Sequence, residues 1–326
     1  MLANIFKPFR KTPSIFLGAV LLSAWFSASP GKPAQASVKN GFDLADSIVP
    51  QNQIFQGGPP RDGIPSIDNP KFLKPNEADF MKPKELVLGV VVGNQAKAYP
   101  IHILNWHEIV NDKTGSDHFV VSYCPLCGTG MVFSAKLEGS LMTFGVSGLL
   151  YNSDVLLYDR QTGSLWSQVM RKSISGKLKG AQLVQIPAMH TTWENWLQRY
   201  PKTKVLSRET GAIRNYERDP YSGYELSEHT YFPVTNRAPR DYHPKERVLG
   251  VTVKGVFKAY PFLELAKKNK TRFVDTIAGK KLNIHWDKKN TTSWVTDSRG
   301  REYPVTVAYW FAWYAFHPGT LVFKAL

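Results

Sequence analysis

One stretch of this sequence occurs twice, and a repeat obeys the same local rules at both places. Pro83-Lys84-Glu85-Leu86-Val87-Leu88-Gly89-Val90-Val91-Val92 returns as Pro244-Lys245-Glu246-Arg247-Val248-Leu249-Gly250-Val251-Thr252-Val253. Lys97-Ala98-Tyr99-Pro100 returns as Lys258-Ala259-Tyr260-Pro261, at the same offset of 161 residues. Each copy reads as a β-hairpin: a Val-rich strand, a turn at Gly93-Asn94 or Lys254-Gly255, and a second strand stopped by proline. A helix can start beside that proline. Ile101 to Val110 has apolar residues at helical spacing, and Phe262 to Ala266 is its counterpart. The expected fold class is α+β and β-rich, with two related lobes built on a repeated β-β-α unit. The alternative is a single sheet that uses the pattern twice.

The rest of the chain fits around those copies. The expected layout is a signal peptide at 1–36 and a loop-rich entry segment at 37–82. A first lobe follows at 83–207, a connecting excursion at 208–243 and a second lobe at 244–326. The entry segment holds Gln56-Gly57-Gly58-Pro59-Pro60-Arg61-Asp62-Gly63, which suits neither helix nor regular strand. Between the copies, turn signals every 8–12 residues mark short strands. Thr192 to Tyr200 reads as an amphipathic helix capped by Thr191 or Thr192. Val305 to Phe316, apolar on all sides, reads as a buried helix or strand.

The first 36 residues carry Lys7, Arg10 and Lys11, then an apolar run from Ile15 to Ala28, then Ala34-Gln35-Ala36. This is the pattern of a secretory signal cut before Ser37. The run is short of the roughly 20 residues a membrane helix needs, and no second long apolar run follows. The expectation is an exported protein, periplasmic or extracellular, without a membrane span once the signal is removed. The formal charge is +15, of which Lys7, Arg10, Lys11 and Lys32 supply four, leaving +11. A basic surface suits an anionic envelope surface. Nucleic acid is not expected as a partner, because no binding motif is present.

The chain has two cysteines, both in Tyr123-Cys124-Pro125-Leu126-Cys127-Gly128-Thr129-Gly130. Strand-like residues flank them, so the pair sits on a tight Gly-rich hairpin turn. Three chemistries fit. The first is dithiol/disulfide exchange, in which one thiolate attacks and the other resolves a mixed disulfide. The partner would be an unidentified redox protein or a small-molecule or protein thiol, with no cofactor. An enzyme of this kind would be a thiol–disulfide oxidoreductase. The second is copper or zinc held by Cys124, Cys127 and a histidine, His102. His102 and His107 are five apart on the expected helix, about 140° from facing the same way, so they do not both reach the thiols. The third is a structural disulfide in a non-catalytic envelope-binding protein. A short disulfide loop stabilises little, which weakens that reading. His107 and Glu108 are the candidate acid/base pair beside the cysteines. The second copy has Ile284-His285-Trp286-Asp287 where the first has its cysteine turn. Asp154, Asp159 and Arg160 can line a pocket, although fixing a loop is the simpler role.

With Trp106-His107-Glu108-Ile109-Val110-Asn111-Asp112, Thr143-Phe144-Gly145-Val146-Ser147-Gly148-Leu149-Leu150-Tyr151-Asn152-Ser153, Tyr158-Asp159-Arg160 and Trp310-Phe311-Ala312-Trp313 beside the cysteine turn, the chain resembles the DUF3179 family. The resemblance covers roughly residues 80–325. It implies an exported protein of bacterial or archaeal type. It also implies kinship with members that look like selenoproteins, carrying selenocysteine in the Cys-x-x-Cys region, a hint toward redox chemistry. It brings no established activity.

Overall fold

Both copies of the repeat fold as the hairpin and helix their sequences predict. In the computed structural model, Leu86–Val92 pairs antiparallel with Gln95–Pro100, placing Val87 opposite Pro100 and Leu88 opposite Tyr99. Arg247–Val253 pairs with Val256–Pro261 in the same register, Val248 opposite Pro261 and Leu249 opposite Tyr260. Both central turn residues are left-handed in each hairpin, at φ 55° and 64° for Gly93 and Asn94 and 48° and 80° for Lys254 and Gly255. That mirror-image turn matches the twist of the paired strands. Helices α1 (Ile101–His107) and α3 (Phe262–Lys268) begin directly after the prolines. The structure describes residues 37–325 apart from 269. The expected signal segment lies outside the described residues.

The repeat is longer in space than in sequence. A three-stranded meander follows each helix: Ile109–Thr114, Asp117–Cys124 and Thr129–Ser134 in one copy, Arg272–Ile277, Lys280–Asp287 and Thr292–Asp297 in the other. Each copy then sends a strand back to its own hairpin. Ala188–Thr192 pairs with Leu86–Val92, and Thr306–Tyr309 pairs with Arg247–Val253. A helix and a short parallel strand close each copy: α2 (Trp193–Arg199) with Lys204–Leu206, and α4 (Trp310–Phe316) with Leu321–Val322. Helix α2 is capped by the Thr192 hydroxyl, which accepts the Asn195 amide at 3.4 Å. The apolar 305–316 stretch therefore divides into a β-branched strand and an aromatic helix.

Side chains repeat as well. The Trp196 ring covers Gly89 and the Trp313 ring covers Gly250, so closely that a Cβ would lie 2.3 Å and 2.1 Å from ring atoms. Each indole N–H donates to a threonine hydroxyl, Thr203 or Thr320, at 2.9 Å. Lys97 and Tyr99 converge on Asp112, as Lys258 and Tyr260 converge on Asp275. No pattern of alternating hydrophobicity reports such pairings, because the lysine and aspartate they join are 15 or 17 apart in the chain.

The copies do not stand as two lobes. The described residues form one compact unit, and the copies interlock. The Thr129–Ser134 strand packs on Thr306–Tyr309 of the other copy, and Thr292–Asp297 packs on Ala188–Thr192. Tyr309 N donates to Cys127 O at 2.8 Å, and Thr192 Oγ1 donates to Asn290 Oδ1 at 2.7 Å. Among the described residues the fold is β-rich with four seven-residue helices. Five larger sheets of three to five strands give it a five-bladed, propeller-like arrangement. Its connectivity differs from a propeller's, since late strands return to early sheets. No described helix is long and apolar enough to cross a membrane.

The first copy also carries an insertion between its meander and its return strand. Phe144–Tyr151, Asp154–Asp159, Leu165–Ser167 and Lys172–Ser175 form one sheet, completed by Ile54–Gln56 from the entry segment. This sheet lies against the cysteine hairpin and shares a core with it, through Met131, Phe133, Val146 and Val155.

Candidate functional site

Two hairpin turns meet at the site. Cys124 ends one strand, and Thr129, opposite it, begins the next. Pro125, Leu126, Cys127 and Gly128 close the turn. Gly128 is left-handed at φ 58°, and the Tyr309 ring lies 2.9 Å from where a Cβ would be, so only glycine fits. The Cys127 carbonyl accepts Thr129 Oγ1 at 3.1 Å as well as Tyr309 N. Both cysteines are free and buried.

The second turn is Asn152-Ser153, between Phe144–Tyr151 and Asp154–Asp159. Both residues are left-handed, at φ 54° and 62°. For non-glycine residues this costs roughly 1–2 kcal/mol each, so something must hold the turn. Asn152 Oδ1 accepts Thr235 N at 2.7 Å, and Ser153 Oγ donates to Phe232 O at 2.9 Å. The connecting excursion thus fixes the turn. The turn in turn aims the Ser153 carbonyl at both sulfurs, which donate to it at 3.6 Å (Cys124) and 3.3 Å (Cys127).

Asp154 follows immediately and is fully buried. Its Oδ2 accepts Val169 N at 3.1 Å, while its Oδ1 has no partner. Ligand atoms of Cys124, Cys127 and Asp154 all lie within 4.8 Å of one another. Burial, and after it the partner cysteine and the Asp154 carboxyl, set the thiol pKa values, and the net direction is upward for both. Burial also pushes Asp154 up to about 7, against the pull of the Val169 and Val155 amides and of the Cys124 thiol.

Glu108 completes the acidic character. It caps the C-terminal end of α1 in a left-handed conformation, φ 58°, with its amide bonded to Leu104 O and its carbonyl to Tyr123 N. The side chain is buried and, with Cys124, lines a recessed pocket of about 100 Å³. Gly57, Ile64, Leu150 and Tyr221 form other parts of its wall. Burial and then the nearby Asp154 charge push Glu108 up to about 8.

The other sequence candidates lie elsewhere. His107 is buried beside Glu108 in sequence but faces away, with Nδ1 on Pro65 O and Nε2 on Tyr216 OH, each at 2.7 Å. It pins the entry segment and the excursion to α1, so the expected His107–Glu108 couple is not formed. The backbone reversal at Glu108 separates them. His102 lies near Glu85, Nδ1 to Oε2 at 3.7 Å, and against Phe80. Burial and then the Arg208 charge lower it to about 4. His102 is not with the thiols; Asp154 stands there instead. Asp159 accepts the Trp166 indole N–H at 2.9 Å, and Arg160 bonds Asp68 at 2.7 Å. Both fix loops, though not as a pair. The one signal for Asp154 in the sequence is its place just after an Asn-Ser hairpin turn, which says nothing about what that turn faces.

No curated protein and no solved structure matches the chain. The chain does match a family model over residues 61–320, that of a protein of unknown function, DUF3179. The matched span includes the first copy of the repeat, the second as far as its closing strand, the cysteine turn, Glu108 and Asp154, and the chain therefore belongs to the DUF3179 family.

Proposed function

We propose that this protein binds a thiophilic metal ion, zinc in the first place, through Cys124, Cys127 and Asp154. The observation that carries the reading is the buried, unpartnered Asp154 Oδ1 beside two buried thiols. A buried acceptor without a partner asks for one, and an ion is a common answer. Zinc bonds of about 2.3 Å to sulfur and 2.0–2.2 Å to oxygen put tetrahedral ligand atoms about 3.4–3.8 Å apart. The observed grouping needs only a modest contraction to meet that. A dication also favours the ionised forms of groups that burial otherwise keeps protonated. The carboxylate, standing where a histidine was expected, favours zinc over copper(I), which prefers sulfur. The reading is of an exported protein, and in an oxidising compartment zinc would shield the thiols from disulfide formation.

The second reading is dithiol/disulfide cycling. In its favour, both sulfurs donate to one carbonyl and so lie on the same side of the turn. Asp154, within 4.8 Å of both sulfurs, is then the acid nearest the pair, and Glu108, not His107, shares the pocket with Cys124. Native mass spectrometry of the protein after export separates the readings. One zinc per chain is expected. Asp154→Ala should weaken binding by more than the roughly 10–100-fold typical of outer-shell changes, and Cys124→Ser or Cys127→Ser should do the same. A metal-free mass lighter by two hydrogens, regained with a mild dithiol, would replace the metal reading with the redox one.

A further inference from the structure

The first copy of the repeat has built a recessed, partly covered chamber beside its cysteines, and the second copy has not. The chamber's walls come from the inserted sheet (Val146, Leu150, Val155), the entry segment (Gly57, Ile64) and the excursion (Tyr221). The second copy has no inserted sheet of this kind. Its corresponding residues, Thr271 for Glu108 and Asp287 for Cys124, border an open surface pocket with Lys288 and Lys289. Asp287 there accepts from Asn290 in its own turn and from Asn195 of α2, so both of its oxygens are occupied. The same framework thus borders an open surface pocket in one copy and a more recessed one in the other.

Resting on the metal reading above, we infer that the Cys124/Cys127/Asp154 centre is an open one, whose fourth position takes a small exchangeable ligand from the chamber beside Glu108. Closed structural zinc sites have four protein ligands, whereas sites that work on a ligand have three and an open position. Three candidate ligands converge here, and neither His102 nor His107 supplies a fourth. Cys124 belongs both to the ligand group and to the chamber wall, so it joins the two. The chamber, at about 100 Å³, is several times the roughly 10–15 Å³ a single water requires. It admits water or a molecule of a few heavy atoms. Its wall is mostly apolar, with Glu108 as its carboxyl group. Glu108 is held there by a left-handed backbone, the kind of local strain found at functional positions. The ligand class is therefore a small oxygen or nitrogen donor, water by default, hydrogen-bonded by Glu108.

Cobalt(II) is the probe for the metal and azide for the small ligand. The full chain is loaded with cobalt, and its absorption is followed as azide is added. A thiolate-to-cobalt charge-transfer band with d–d bands that shift saturably with azide supports the inference. Glu108→Met, which keeps the volume and removes the hydrogen bond, should then weaken azide binding about tenfold. The charge-transfer band of that variant reports whether its centre is intact. A normal cobalt band that azide does not move would mean a closed centre and would overturn the inference while leaving the metal reading standing. An absent charge-transfer band would overturn both.

Discussion

Glu108→Gln is expected to leave the stability of the metal-free protein unchanged near pH 4 and to raise it by on the order of 4 kcal/mol at pH 9, at about 1.4 kcal/mol for each tenfold difference in proton affinity between the folded and unfolded chains. The carboxyl titrates near its ordinary value of 4.5 in the unfolded chain and near 8 in the fold. Its folded pKa is raised, so its contribution is fully present below about 4.5 and is lost as pH rises through 8. Above that, folding must bury a charge. Glutamine carries no charge at any pH and escapes the loss. Asp154→Asn should behave alike in a lower window, from 3.8 up to about 7. Urea unfolding at pH 4, 7 and 9 with a chelator present measures the effect. Wild-type and Glu108→Gln curves that stay parallel across the three pH values would mean that Glu108 is solvated.

Gly250→Ala and Gly89→Ala are each expected to destabilise the fold by about 3 kcal/mol, at the upper end for overpacking. The added methyl group would stand 2.1 Å from Trp313 and 2.3 Å from Trp196. Neither indole has room to withdraw: both are buried, and each is tied by its N–H to a threonine. Gly319→Ala, which meets nothing within 4 Å, is the control and should change stability by less than about 0.5 kcal/mol. Combining Gly250→Ala with Trp313→Leu should cost less than the sum of the two changes, because the smaller side chain removes the clash. Additive effects would show that the glycine is needed for some other reason. The matching behaviour of Gly89 would establish that both copies use one packing rule.

The interlocked copies also explain how the cysteine turn is held in place. Tyr309 of the second copy bonds the Cys127 carbonyl and packs over Gly128. The cysteine turn is therefore held from outside its own copy. The inserted sheet and the excursion then bring Asp154 to a turn already fixed in place, with Asn152 and Ser153 anchored on Thr235 and Phe232.

The local elements of this protein are legible in its sequence. Alternating valines, left-handed turn residues and strand-ending prolines specify the two hairpins. The flanks of Cys124 and Cys127 specify a third, and Thr192 caps a helix because its hydroxyl accepts an amide of the first turn. These features depend on residues a few positions apart, where periodicity and turn chemistry act. The same reading identified the family to which the chain belongs. What those cysteines face depends on contacts between distant segments. Asp154 lies thirty residues from Cys124 and reaches it because a separate sheet packs on the cysteine hairpin. His107 and Glu108 are neighbours in sequence, yet one left-handed residue sends the imidazole to Pro65 and the carboxyl to the chamber. The expected two lobes became one interlocked unit for the same reason. Strand patterns state which face of a strand is buried, and only the packing of distant segments states against what.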